Sequence, residues 1–114
     1  MIIRTADAAI STAQELLSSV ATGAETFWVS TSVPPLAALL LTLADSEGQV
    51  GVQSAADIAG DPLGSRSEAG TGWDGVADAC PHELLAMKLR RVAQLVPRQR
   101  DSIAKLMKRA LEAA

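Results

Sequence analysis

Along most of the chain, apolar residues recur at the three- and four-residue spacing of a buried helix face. The first such segment sets Ile10, Ala13, Leu17 and Val20 on one side, with Gln14, Glu15, Ser18 and Ser19 elsewhere on the wheel. It predicts a helix over about 5–22, with Gly23 placed where left-handed backbone ends a helix. Phe27-Trp28-Val29 follows, and alone it has the composition of a short strand. Phe27 and Trp28 are expected in the core, as bulky partners for the Leu-rich run behind them. Pro34-Pro35 is expected to open that run as a helix, because proline is tolerated in a first turn. Leu36, Leu39, Leu40 and Leu43 form one stripe, and Ala37, Ala38 and Leu41 widen it. A helix apolar nearly all round belongs at the centre of a fold.

Residues 45–51 read as a turn and 52–59 as a short helix with Ala55, Ala56 and Ala59 as its small face. From Gly60 to Gly75 the chain holds five of its eight glycines, with Pro62 and several serines, which predicts a long surface loop. Trp73, near the end of that loop, is expected to pin it to the core and is also a candidate for partner contact. Pro81 is expected to start a helix carrying Leu85, Leu89, Val92 and Val96, and Pro97 to break it at Val96. The last helix spaces Ile103, Leu106, Met107, Ala110, Leu111 and Ala114 on one face, with Lys105, Lys108, Arg109 and Glu112 turned away. The expected architecture is all-α: a compact bundle of about five helices with one long Gly-rich loop, in a single domain over residues 1–114.

Composition agrees with this. The 114 residues include 21 Ala and 14 Leu but only one Phe, two Trp and no Tyr, which disfavours a sheet protein. A single Cys excludes an internal disulfide framework and suits a reducing compartment. The N-terminus lacks a basic segment leading into a long apolar run, so no signal peptide is expected. The longest apolar stretch, residues 33–44, is 12 residues and contains two Pro and a Thr. A span needs about 20. The domain is expected in the cytoplasm without direct membrane contact.

Charge changes the picture more. The net −3 conceals a split: residues 1–81 carry ten carboxylates and two cations, residues 82–114 three carboxylates and eight cations. Those cations are Lys88, Arg90, Arg91, Arg98, Arg100, Lys105, Lys108 and Arg109. They are the candidate residues for binding nucleic acid or an acidic partner. Arg98 and Arg100 stand at the start of the last helix, where its dipole adds positive potential. With aromatics remote from the basic tail, DNA contact would be electrostatic rather than by base stacking.

Catalytic constellations are missing. Gly60 to Ser67 lacks the Lys and the spacing of a phosphate loop. Cys80 and His82 give one thiol and the only imidazole, short of a structural zinc set. Asp57 and Asp61 could share a helix face, without an apolar setting to raise either pKa. No enzyme activity, cofactor or metal is expected of this domain.

Taken in order, these segments resemble the all-alpha domain of type IV coupling proteins, the hexameric ATPases that deliver DNA and protein to conjugative secretion channels. Phe27-Trp28 followed by Val33-Pro34-Pro35-Leu36-Ala37-Ala38-Leu39-Leu40-Leu41 is similar to one family segment. Leu89-Arg90-Arg91, then Pro97-Arg98-Gln99-Arg100-Asp101-Ser102-Ile103, Met107 and Ala110-Leu111, is similar to the family's ending. Thr5-Ala6 and the helix after it fit the run before the Phe-Trp pair. The sequence departs from the pattern at Pro34-Pro35, where small helix formers are expected, and at residues 50–54, which lack an aromatic. The resemblance implies a domain inserted in, or excised from, a larger motor at the inner face of the membrane. It implies relaxase or relaxosome proteins, single- or double-stranded DNA and the parent motor domain as partners. ATP and Mg would belong to the motor, and no Walker motif is present here.

A second class of function is a free-standing small helical DNA-binding regulator that uses the basic C-terminal helices. Pro97-Arg98-Gln99-Arg100 is similar to the first helix of sigma-factor region four, but no recognition helix follows before Ala114.

Overall fold

The computed structural model describes residues 1–64 and 72–114. Its helices are α1 (Ala6–Val20), α2 (Thr26–Leu43), α3 (Val52–Ala59), α4 (Gly72–Ala79), α5 (Glu83–Ala93) and α6 (Pro97–Glu112), with a 3-10 turn at Gly23–Glu25 before α2. The fold is all-α. Among the described residues the only β-type pairing is a single antiparallel bridge between Ile2 and Gln49, beside which Ile3 N–H donates to Gly48 O at 2.6 Å.

α1 starts where its sequence allows. The Thr5 hydroxyl accepts from Ala8 N–H at 3.0 Å, an N-cap that satisfies one of the helix's orphan donors. Its inner face, Ala9, Ala13 and Leu17, is fully buried against α2. The small alanines let the two helix backbones approach closely.

α2 corrects three sequence expectations. It begins at Thr26, not at Pro34, so Phe27-Trp28-Val29 is helical rather than extended, and both prolines lie inside the helix. The start is fixed upstream, where the Glu25 carboxylate accepts from the Thr22 N–H and hydroxyl at 3.3 and 3.1 Å. Each internal proline forgoes one i→i−4 hydrogen bond and costs about 3 kcal/mol relative to alanine. Full burial of Leu36, Leu39 and Leu40 offsets this, since each such side chain contributes about 1.5–3 kcal/mol. The third correction is Phe27, expected in the core and found 73 % exposed. The buried stripe Ser32, Pro35, Leu36, Leu39 and Leu40, continued backward at about 3.6 residues per turn, runs through Trp28 and Val29. It leaves Phe27 on the opposite side, where its ring meets Trp28 edge-on at 5.1 Å. The unbroken segment Gly23–Leu43 is 21 residues, long and apolar enough to cross a membrane by length and composition alone, unlike the interrupted 12-residue stretch read from sequence.

A further helix, α4, occupies Gly72–Ala79, so its first four residues lie in the stretch expected to be loop. The central part of that expected loop, residues 65–71, lies outside the described residues. Two bonds tie α4 to the end of α3, Trp73 N–H to Pro62 O at 2.9 Å and Trp73 Nε1–H to Ile58 O at 3.2 Å. Gly72 makes the junction possible: its φ is +52°, and a Cβ there would come within 2.7 Å of the Gly64 N and Leu63 C atoms.

α5 begins at Glu83, two residues after Pro81, with His82 as N-cap, its Nδ1 accepting from Leu85 N–H at 3.3 Å. It ends at Ala93 rather than Val96, and Pro97 takes the first position of α6. Around α2 the remaining helices take two sides. α1 leads to α6 and then α3, while α5 and α4 pack on one another and on α2. Trp73, Leu17, Leu36, Leu89, Ile103 and Met107 are among the fully buried side chains that join these layers into one core.

Candidate polyanion and partner interface

The eight C-terminal cations do not form one face. α5 carries Lys88, Arg90 and Arg91 and packs on α2 and α4; α6 carries the other five and packs on α3, α1 and α2.

Among the described residues, three of the eight are engaged by carboxylates. Arg90 Nη2 donates to Asp78 Oδ1 at 2.6 Å, joining α5 to the end of α4. Arg100 Nε donates to Asp101 Oδ1 at 3.2 Å, with only 13 % of its side chain exposed. Arg109 is the most committed: Nη1 and Nη2 grip Glu25 Oε2 and Oε1 at 2.7 and 2.6 Å, and Nη2 also donates to Val20 O at 3.0 Å. This fork-to-fork pair ties the end of α6 to the α1–α2 connection. The Arg109 hydrogen bonds, helped by those from Thr22, hold the Glu25 carboxyl down at about 2, and Glu25 in turn raises the Arg109 guanidinium. Arg109 is thus a clamp in this fold rather than a spare cation for a ligand.

The unpaired cations, among the described residues, are Lys88, Arg91, Arg98, Lys105 and Lys108. Arg98 and Lys105 are exposed and lie two turns apart on the solvent side of α6. The Lys108 stem lies against Gly60, where a Cβ would meet its Cδ at 2.7 Å. Arg100 and Lys105 share an open hollow of about 350 Å³ with Asp101, Asp61, Leu63 and Gly60, between the end of α3 and the first half of α6. Its charge is mixed, since two carboxylates stand beside two cations.

The other sequence candidates take structural places. Trp73 is fully buried with its indole N–H bonded, which supports the pinning role and corrects its candidacy for partner contact. The Cys80 thiol donates to His82 O at 3.6 Å and His82 caps α5, so both groups serve the start of one helix. Asp57 is on α3 and accepts from Gln53 Nε2 at 3.1 Å, whereas Asp61 lies beyond the helix end, so the two do not share a helix face. No group of three His, Cys, Asp or Glu side chains able to hold a metal occurs among the described residues. Three surface features went unread in the sequence: the Glu25–Arg109 clamp, exposed Phe27, and the exposed Leu84 and Met87 on α5. The last two follow from helix phase once the helix limits are known, but the clamp joins residues 84 apart and has no local signal. No family model, curated protein or solved structure matches the chain.

Proposed function

We propose that this chain is a non-catalytic recognition domain that receives anionic cargo on the solvent face of α6, as the all-alpha domain of a conjugative coupling protein would receive a relaxase–DNA complex. One observation carries the reading. Arg98, in the first turn of α6, and Lys105, near its middle, stand exposed without ion-pair partners among the described residues, and the helix dipole adds to the potential at Arg98. The rest of the chain is acidic, so a polyanion approaching the molecule is drawn to this end. The all-α architecture and the resemblance of the Phe-Trp, Leu-rich and Arg-x-Arg-Asp-Ser segments agree with such a module. ATP, Mg and the membrane anchor belong, in this reading, to a parent motor.

The experiment is a titration of the chain against single- and double-stranded oligonucleotides, and against the cognate relaxase, at low and moderate salt. Binding that weakens as salt rises is expected, because phosphate contacts release counterions. Absence of binding to all three overturns the reading. A relaxase–DNA signal that persists at raised salt while DNA alone is lost identifies the protein as the principal cargo.

A further inference from the structure

The solvent faces of α1 and α3 are polar: α1 turns out Ser11, Gln14, Glu15 and Ser18, and α3 turns out Gln53, Ser54 and Asp57. α5 breaks this rule. Leu84 is 51 % exposed and Met87 41 % exposed, on the side opposite the buried Leu85, Ala86, Leu89 and Val92. Lys88 and Arg91 continue the same stripe, both exposed and both without a carboxylate partner among the described residues. At about 3.6 residues per turn, positions 84, 87, 88 and 91 lie one above another. α5 rests on α2 and α4 through its other side, so this stripe is open along its length.

Two apolar side chains followed by two cations at this spacing make half of a two-helix seam. Phosphates would engage the cations and leave Leu84 and Met87 wet, so a nucleic acid matches only half of the stripe. A helix with aliphatic residues at one end and carboxylates at the other matches all of it. The neighbouring charges set its direction. Glu83 stands exposed at the apolar end and repels a carboxylate there, while Arg90 is held aside by Asp78.

We propose that the outer face of α5 docks an acidic amphipathic helix of a partner protein, its aliphatic residues covering Leu84 and Met87 and its carboxylates meeting Lys88 and Arg91. This goes beyond the α6 reading and does not depend on it, because the two surfaces use different residues on different helices.

The test uses the full chain and a labelled helical peptide of about 15 residues, with Leu at the seam positions and Glu beside them, read by fluorescence anisotropy. A second peptide carries Lys in place of each Glu. The Glu peptide is expected to bind at least about tenfold tighter than the Lys peptide, with an affinity that falls as salt rises. Leu84→Ser with Met87→Ser, and separately Lys88→Glu with Arg91→Glu, are each expected to weaken the Glu peptide by about tenfold or more. All four positions are exposed, so circular dichroism should be unchanged. The pair Arg98→Glu and Lys105→Glu should leave peptide binding intact while weakening oligonucleotide binding, which separates failure of one surface from failure of the other. No binding of the Glu peptide, equal binding of both peptides, or full binding by the Leu84→Ser/Met87→Ser variant overturns the proposal. Concentration-dependent dimerisation that Leu84→Ser abolishes also overturns it, by assigning the stripe to a second copy of this chain.

Discussion

At the scale of single residues, three positions bear on stability in ways that their neighbours in sequence do not announce. Gly72 adopts φ +52° with the backbone of residues 62–64 packed where a side chain would stand. Gly72→Ala is expected to destabilise the domain by about 2 kcal/mol or more, measured by urea unfolding. Ser32 is the opposite case. It is fully buried on α2 and, among the described residues, its hydroxyl has no hydrogen-bond partner. Ser32→Ala removes a polar group that gains nothing from burial and should raise stability by about 1 kcal/mol. The third position is Glu25. Its carboxyl is lowered from 4.5 to about 2, so its link to Arg109 stabilises the fold fully above the unfolded value and loses that contribution as pH falls through the folded one. Arg109→Ala should therefore lower Tm at neutral pH and remove part of the acid-induced loss between about pH 4.5 and 2. A thermal melt series over that range reads both. The amplitude is expected to be small, because both side chains are partly exposed.

At the scale of elements, the helical pattern was readable wherever periodicity was unbroken. α1, α3 and α6 fall within a few residues of their expected limits because their apolar positions recur at helical spacing and clear signals flank them: a Thr N-cap, a Gly, a Pro at the first turn. α2 runs from Thr26 through Pro34 and Pro35, although proline's tolerance of a first turn predicts a start there. A local rule lost to tertiary packing, since the buried stripe of Leu36, Leu39 and Leu40 stabilises the helix through both prolines. Phe27, expected in the core as a bulky partner for the Leu-rich run, is exposed because its burial depends on helix phase rather than on its own hydrophobicity. Pro34 supplies the check. It is half-buried, and its replacement restores an N–H opposite the Ser30 carbonyl. Pro34→Ala should stabilise the domain by about 1–3 kcal/mol, read from the chemical midpoint at unchanged m-value. A loss of stability would mean that the proline ring's own packing outweighs the hydrogen bond it removes.

For the whole molecule, the charge division along the sequence survives folding but changes form. The eight cations were legible as a group; of their ion pairs only the one between the neighbours Arg100 and Asp101 has a local signal, because those of Arg90 and Arg109 join residues 12 and 84 apart. Folding ties Arg90 to Asp78, Arg100 to Asp101 and Arg109 to Glu25, and among the described residues leaves Arg98 and Lys105 without partners on α6 and Lys88 and Arg91 without partners on α5. What began as one basic tail becomes two small surfaces of different chemistry, one carrying Arg98 and Lys105 beside Asp101 and one edged with Leu84 and Met87. Trp73, expected both to pin the Gly-rich stretch to the core and as a candidate for partner contact, takes the first role, because α4 begins before that stretch ends and buries it. On α6 the proposed role is reception of a polyanion. Its most direct measurement is the salt dependence of single-stranded oligonucleotide affinity for the native chain and for the variant carrying Arg98→Glu and Lys105→Glu. With two or three phosphate contacts, the native slope of log affinity against log salt should be about −1.5 to −2. The variant should bind at least about tenfold more weakly, with a slope nearer zero. Equal affinities and equal slopes for the two proteins would contradict the account.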